Sequence, residues 1–159
     1  MIKIGVVSDT HLHQVTQEFL DIYDHYLSEA DVILHAGDVV SPDLIDFLSA
    51  RDFHGVCGNM DPMALKQTLP EKKVIHIAGY KVGLIHGWGR GDDLEDRLLP
   101  LFPQVDVIVY GHSHIPANHV RDDILLFNPG TATGYSASGR HSIGILELGE
   151  TARGTIVFI

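Results

Sequence analysis

The stretch Ile108-Val-Tyr-Gly-His-Ser-His-Ile-Pro116 places two histidines at the end of a predicted strand. The apolar run at residues 105–110 is typical of a buried β-strand, and Gly111 ends it. His112 and His114 follow with one residue between them. Because alternate side chains of an extended segment point the same way, both imidazoles can face one point. The chain has 11 histidines, so the pair gains meaning only from the other strand ends.

Length and composition predict one globular domain, residues 1–159, that buries about 68–70% of its unfolded surface. The formal charge of −10 argues against a broad nucleic-acid-binding face and against binding to an anionic membrane. The single cysteine, Cys57, excludes an internal disulfide, which fits a reducing compartment. No apolar stretch approaches the roughly 20 residues of a membrane span. We therefore expect a cytoplasmic protein without a membrane segment.

The order of predicted elements indicates an α/β protein with a mixed sheet or two stacked sheets. Strand and helix alternate in the first half, and strands predominate in the second. Strands are predicted at residues 2–7, 32–34, 53–57, 73–77, 81–85, 105–110, 119–127, 142–148 and 155–159. Helices are predicted after Thr16, from Ser41-Pro42 with the serine as a capping residue, and from Asp92 or Asp93. Residues 62–70 and 131–139 are predicted to be loops.

Five of the predicted strands end in side chains that can bind a metal ion. These side chains are Asp9 and His11, Asp38, Asn59, His86, and His112 with His114. Because sites in open α/β sheets lie at the carboxyl ends of strands, we expect the seven side chains to meet. Seven donors exceed the four that one zinc ion usually takes. They suit two ions about 3.5–4 Å apart that share a carboxylate.

The chemistry of the donors limits which ions can bind, and the charge of the site limits the class of substrate. Mixed carboxylate, amide and imidazole donors favour Mn²⁺, Fe, Zn²⁺ or Ni²⁺ over Ca²⁺, which prefers oxygen ligands. Two divalent ions bring more positive charge than two carboxylates remove. The site would therefore be locally positive in an acidic protein and would attract an anionic substrate.

Several other polar residues have an ordinary structural explanation. His35 fits a core or supporting residue better than a ligand, and Asp61 before Pro62 fits a turn residue as well as a functional one. Trp88 and Arg90 lie in a glycine-rich loop, where the arginine could contact phosphate or only solvent.

The five blocks together resemble the calcineurin-like metallophosphoesterase family. The blocks are Asp9-x-His11, Gly37-Asp38, Gly58-Asn59, His86-Gly87 and Gly111-His112-x-His114. The short length, Gly58-Asn-Met-Asp61 and Asn128-Pro-Gly130 with Arg140 resemble its small bacterial and archaeal phosphodiesterase branch, where Gly-Asn-Cys-Asp is usual. The resemblance implies an α/β fold in which two mixed sheets stack between outer helices, a four-layer αββα sandwich.

The resemblance also implies roles for the seven residues. Asp9, His11 and His114 would hold one ion, Asn59, His86 and His112 the other, and Asp38 would bridge them. The cofactor would be two divalent metal ions per chain, with Mn favoured and Ni, Fe or Zn as alternatives. A hydroxide between the ions would attack a small phosphodiester or nucleotide in line, and Asn59 would steady the phosphoryl oxygens.

One position departs from the family pattern. Many relatives have a histidine directly after the asparagine, where it acts as a general acid for the leaving oxygen. This chain has Met60, which cannot donate a proton. We expect activity on leaving groups that need little protonation, and Asp61 is a candidate replacement acid and substrate contact.

Two other functions remain alternatives. The first is a non-catalytic protein-binding scaffold, because the retromer subunit that resembles this family recruits partners and lacks part of the histidine set. Here every ligand position is filled, which disfavours a scaffold. The second is a histidine-rich metal store. Strand edges near the C-terminus would permit a homo-oligomer.

Overall fold

The computed structural model describes all 159 residues and contains two five-stranded sheets. The first has strand order β10-β9-β1-β2-β3 and the second β4-β5-β6-β8-β7. The strands are β1 Ile2–Val7, β2 Val32–His35, β3 Asp52–Gly55, β4 Lys72–Ile77, β5 Tyr80–Ile85, β6 Val107–Val109, β7 Ala117–Arg121, β8 Ile124–Asn128, β9 Ser142–Leu148 and β10 Ala152–Phe158. The α-helices are α1 Gln17–Ile22, α2 Pro42–Leu48, α3 Met63–Thr68 and α4 Leu94–Leu98. A π-helical turn, Tyr23–Leu27, extends α1, and a 3₁₀ turn, Leu99–Leu101, extends α4.

Parallel pairing brings the important strand ends together. In the first sheet β1 pairs in parallel with β2, and β2 with β3. In the second sheet β5 pairs in parallel with β6, and β6 with β8. The remaining neighbours are antiparallel. The loops that follow β1, β2 and β3 therefore begin side by side, at the carboxyl ends of parallel strands in the first sheet. The loops that follow β5 and β6 begin in the same way in the second sheet.

Three apolar clusters separate four layers. The central cluster lies between the sheets and includes Val6 of β1 and Val109 of β6. A second cluster joins the outer face of the first sheet to α1, α2 and α3, and a third joins the outer face of the second sheet to α4. Alternation along each strand produces this division, because Val107 and Val109 face the centre while Ile108 faces α4. The αββα sandwich implied by the family resemblance is confirmed.

Phe127 of β8 is the largest fully buried side chain of the cluster between the two sheets. Gly144 and Gly154 of the opposite sheet leave room for its ring, since a Cβ on Gly154 would lie 2.6 Å from it. The amide of Asn118 donates a hydrogen bond to the Gly154 carbonyl, 2.8 Å away, across the same gap. Complementary shape as well as apolar contact therefore fixes the position of the two sheets relative to each other at this point.

Three local predictions differ from the structure. The loop predicted at 62–70 contains the short helix α3, and the strand predicted at 119–127 is the hairpin β7–β8. Asp122 and Asp123 turn this hairpin in left-handed conformations, with φ of 53° and 62°. Ser41 precedes α2 as expected, but its buried hydroxyl makes no capping hydrogen bond. No helix in the structure is both long and apolar enough to span a bilayer.

Replacement of Phe127 by alanine should lower the free energy of unfolding by about 3–5 kcal/mol, because it leaves a cavity between the two sheets. Urea denaturation followed by circular dichroism measures this change. Phe158→Ala is the matched control, since Phe158 is 45% exposed and should cost about 1 kcal/mol or less. Equal losses for the two variants would contradict the role assigned to Phe127.

Candidate metal centre

The seven predicted donors lie in five loops that converge between the sheets. Asp9 and His11 follow β1, Asp38 follows β2 and Asn59 follows β3. His86 follows β5, and His112 and His114 follow β6. Backbone hydrogen bonds join neighbouring loops: the Asp9 N–H donates to the Gly37 carbonyl and the Gly111 N–H to the His86 carbonyl, each at 3.0 Å. Each sheet thus contributes donors to one site.

Backbone strain is concentrated at these donors. Nine residues other than glycine have positive φ, and five of them are predicted ligands. They are Asp9 (53°), His11 (49°), Asp38 (56°), His112 (70°) and His114 (60°). Such conformations cost of order 1–3 kcal/mol each and persist only where the surroundings enforce them. Aspartate and histidine enter this region more readily than most residues other than glycine, and their side chains are also ones that can bind a metal ion.

Two glycines permit the close approach of the loops. A Cβ at Gly111 would lie 2.7 Å from Asp9 Oδ2 and closer still to the Ser8 hydroxyl. A Cβ at Gly58 would overlap Asp38 Oδ1. Larger residues at either position would push a buried carboxylate out of place.

One group of donors consists of Asp9, His11 and His114. Asp9 Oδ1 lies 3.2 Å from His114 Nε2 and 3.7 Å from His11 Nε2. The two imidazole Nε2 atoms are 3.3 Å apart. The carboxylate oxygen and both ring nitrogens are therefore directed at one small space.

A second group consists of His86, Asn59 and His112. Asn59 Oδ1 lies 3.1 Å from His86 Nε2 and 3.3 Å from His112 Nδ1. Asp38 lies between the groups, because its Oδ2 is 3.2 Å from His86 Nε2 and 3.4 Å from His11 Nε2. This is the geometry required of a carboxylate that serves two ions.

Hydrogen bonds to backbone carbonyls orient three of the four imidazoles. His86 donates from Nδ1 to the Ala36 carbonyl (2.8 Å), and His114 donates from Nδ1 to the Tyr135 carbonyl. His112 donates from Nε2 to the Gly89 carbonyl (2.8 Å). In each ring the other nitrogen then carries a lone pair that faces the site. Metal-binding histidines commonly have this second hydrogen bond, which fixes the tautomer.

The electrostatics of the site favour ionised carboxylates. Burial alone would raise the pKa of the Asp9 carboxyl, but contacts with His11 and His114 hold that pKa well below its usual range. Burial likewise opposes ionisation of Asp38, and its contact with His86 outweighs burial and lowers its pKa. In return, the contact with Asp38 raises the pKa of His86 despite burial. Contact with Asp9 raises the pKa of His114.

The donor set fits divalent cations. Asp9 Oδ1 is buried and has no hydrogen-bond partner in the protein. Its sister atom, Oδ2, accepts hydrogen bonds from the Ser8 hydroxyl (2.7 Å) and the His112 N–H (3.0 Å). A buried carboxylate oxygen without a partner is costly unless a ligand compensates it. One oxygen of Asp9 is therefore fixed by the protein, and the other is available to a cation.

Asp61 lies in a different environment from the one expected of a substrate contact. It is only 3% exposed. Its carboxylate accepts hydrogen bonds from the backbone N–H groups of Asp38 (3.1 Å), Val40 (2.7 Å) and Gly58 (2.7 Å). Val40 is β-branched and has φ of 72°, which is rare for such a residue. The Asp61 carboxylate therefore helps to hold two strained loop residues in place, and its predicted contact with a substrate stays a prediction.

A buried network lies beneath the ligands, and of its members the sequence indicated only His35, as a core or supporting residue. Thr10 contacts His35 Nε2 at 3.0 Å, and the Gly37 N–H donates to His35 Nδ1 at 3.1 Å. Burial lowers the pKa of His35 to about 3, so this imidazole is neutral. The Thr131 hydroxyl donates to the Asp9 carbonyl (2.8 Å) from far along the chain. The only sequence signal was the spacing of His35 from Gly37; nothing in the sequence pointed to Thr131.

Comparisons with known proteins agree with this geometry. A family model described as the calcineurin-like phosphoesterase superfamily domain matches residues 2–151. A protein of Methanocaldococcus jannaschii, described as a probable metallophosphoesterase, is 40% identical over 134 residues, which cover 82% of this chain and 68% of that protein.

Two solved structures share the fold. Vps29 of Entamoeba histolytica, complexed with Zn²⁺, has a TM-score of 0.74 and 25% identity, and the match covers 99% of each chain. A structure described as a novel archaeal phosphodiesterase has a TM-score of 0.77 and 24% identity, and the match covers 98% of this chain and 100% of that one.

Replacement of Asp61 by asparagine should lower the free energy of unfolding by about 1.5–3 kcal/mol, because an amide NH₂ would face a backbone N–H. Chemical denaturation measures the loss. Asp46→Asn, at an exposed position without a side-chain hydrogen bond, should change stability by less than about 0.5 kcal/mol. Unchanged stability of the Asp61 variant would exclude the positioning role and favour a direct contact with substrate.

Proposed function

Because the chain belongs to the calcineurin-like phosphoesterase superfamily, we propose that it is a phosphodiesterase that works with two divalent metal ions. The family and its relatives support a metal-dependent phosphoesterase. The diester preference, the number of ions and the choice of Mn are our proposals. The observation that carries them is the convergence of seven donors on one site, with Asp38 within 3.4 Å of an imidazole from each group.

We assign the donors according to their groups. Asp9, His11 and His114 would hold one ion, Asn59, His86 and His112 the other, and Asp38 both. Bound divalent ions supply a Lewis acid and an activated water for hydrolysis at phosphorus. The protein itself orients three of the four imidazoles, through carbonyl acceptors on Ala36, Tyr135 and Gly89.

The preference for diesters with good leaving groups follows from Met60. Its side chain is 59% exposed beside the site, and its backbone N–H donates to Asp38 Oδ1 at 2.8 Å. Methionine offers no proton to a leaving oxygen. Asp61 is buried behind it, with both oxygens accepting backbone N–H groups. We therefore propose that Asp61 positions the loops and that no side chain replaces the missing acid.

The alternative is a non-catalytic protein-binding scaffold. The likeness to Vps29 supports it, because that fold match covers 99% of both chains. A small substrate and the cytoplasm remain our proposals for partner and location, and the oligomeric state remains a prediction. The two functions differ in a simple observable, since only an enzyme needs the metal centre for turnover.

Metal-stripped protein should lack hydrolysis of bis-(p-nitrophenyl) phosphate and regain it with Mn²⁺, at about two ions per chain by emission spectroscopy. Asp38→Ala should reduce kcat by about 10³-fold or more, because it removes the carboxylate shared by both donor groups. Circular dichroism should show a retained fold.

Asp46→Ala is the matched control, because this exposed aspartate lies on α2 away from the donors. It should hydrolyse the diester at the normal rate. Two bound ions without turnover on any phosphate ester would exclude the enzyme and favour the scaffold.

The identity of the leaving group should have the largest effect on the rate of hydrolysis. Wild-type protein should hydrolyse nitrophenyl diesters far faster than an alkyl monoester. Met60→His should raise the rate on the alkyl ester by about 10²-fold, the low end of what a positioned general acid contributes, and should leave the nitrophenyl diester almost unchanged. A wild-type preference for the alkyl monoester would contradict the absence of a general acid.

A further inference from the structure

Two cavities of opposite charge flank the donor residues. The first, about 610 Å³, adjoins Asn59 and His86 and is lined by Lys66 and Lys72 with one acid, Glu71. We name it the lysine cleft. The second, about 280 Å³, adjoins Ser113 in the loop that carries His112 and His114. It is lined by Asp92, Asp93, Glu95 and Asp96 with one cation, Arg121. Of these two cavities, only the lysine cleft favours an anionic group next to the reacting phosphate, in a chain whose net charge is −10.

Trp88 forms part of the wall of the lysine cleft. The indole is 47% exposed, although the loop that carries it is anchored. Arg97 donates to the Trp88 carbonyl from Nε (3.1 Å) and Nη2 (2.6 Å), and its guanidinium carbon lies 5.9 Å from the ring centroid. Ile85 and Leu101 supply apolar surface in the same cleft. An anchored, half-exposed indole beside apolar side chains is suited to stacking on a planar ring.

The two lysines of the cleft retain free hydrogen-bond donors. Lys66 Nζ lies 3.3 Å from the Asn59 carbonyl, and Lys72 Nζ lies 3.3 Å from the Leu101 carbonyl. Neither ammonium group is within salt-bridge distance of a carboxylate. Each has three N–H donors, so at least two on each lysine remain for an anion. The hydrogen bond of Lys66 to the backbone of Asn59 also fixes that charge next to the metal-donor residues.

We propose that the lysine cleft binds a nucleotide portion of the substrate, with its base against Trp88 and a second phosphate at Lys66 and Lys72. The scissile phosphate would then lie at the donor residues, next to Asn59 and His86. A cavity of about 610 Å³ is within the range that encloses a small organic ligand. The identification of the cleft as a substrate subsite rests on the proposed function, but the binding of a nucleotide there can be measured without turnover.

Trp88 is the single tryptophan of the chain, so intrinsic fluorescence reports on the cleft alone. Full-length, Mn²⁺-loaded protein is titrated with adenosine 5′-monophosphate, adenosine and ribose 5-phosphate. The mononucleotide should quench the fluorescence with a Kd about tenfold or more below that of adenosine, because it adds a charged contact to the stacked ring. Ribose 5-phosphate, which has no ring to stack, should not quench. The absence of quenching by both adenosine compounds would overturn the proposal.

Lysine variants test where the phosphate binds. In the double variant Lys66→Gln with Lys72→Gln, the Kd for the mononucleotide should rise about five- to tenfold, and that for adenosine should stay within about twofold. Lys81→Gln is the control, because Lys81 is exposed on β5 and its side chain makes no hydrogen bond or salt bridge. An unchanged Kd for the mononucleotide in the double variant would place its phosphate elsewhere and would overturn the proposal.

Two nitrophenyl esters connect the cleft to the reaction. The p-nitrophenyl ester of 2′-deoxyadenosine 3′-phosphate, with and without a 5′-phosphate, contains the same scissile bond, and the two forms differ by one anionic group. Wild-type protein should show a kcat/KM about fivefold or more higher for the phosphorylated form, and the lysine double variant should abolish this ratio. An equal kcat/KM for both forms in the wild type would overturn the assignment of the cleft to the substrate. If nucleotide binding follows the lysines but no ester is hydrolysed, the binding site stands and the proposed function fails.

Discussion

Two carboxylates are buried among four imidazoles, and the fold must compensate the free energy that their burial costs. Asp9 is fully buried and Asp38 is 2% exposed. Removal of two like charges from water costs several kcal/mol each unless hydrogen bonds and opposite charge compensate it. Hydrogen bonds from Ser8 and from the backbone of His112 and Met60 compensate part of this cost. The remaining lone pairs face one another across the site, which is why the arrangement is suited to cations.

The geometry of the site also constrains the distance between the two sheets. Donors on the first sheet must meet donors on the second, so the spacing of the sheets sets the distances within the site. The central apolar cluster sets that spacing, and Phe127 fills the gap opposite Gly144 and Gly154. Within the loops, the Asp61 carboxylate accepts hydrogen bonds from three backbone N–H groups and holds Asp38 and Val40 in left-handed conformations. The backbone strain at Asp38 is thus offset in part by these buried hydrogen bonds.

Much of the fold and of the donor set could be predicted because both depend on local patterns. Short apolar runs identified the strands, and parallel strands bring their carboxyl ends to one edge of a sheet. What escaped prediction depends on contacts distant in sequence. The direction of the Asp61 carboxylate is set by loops 21 and 23 residues away, and Thr131 reaches Asp9 across 122 residues. The hairpin at Asp122-Asp123 was missed because two adjacent aspartates rarely both adopt positive φ.

The likeness to Vps29 shows that this fold alone does not define an activity. A scaffold requires only the sandwich and its surface. It does not require five strained ligand residues, a buried Asp9 oxygen without a partner, or three imidazoles oriented by backbone carbonyls. Each of these features lowers stability or restricts the sequence without aiding the sandwich. Their joint presence favours a site that binds cations, and of the two cavities beside it the lysine cleft presents the charge that suits an anionic group.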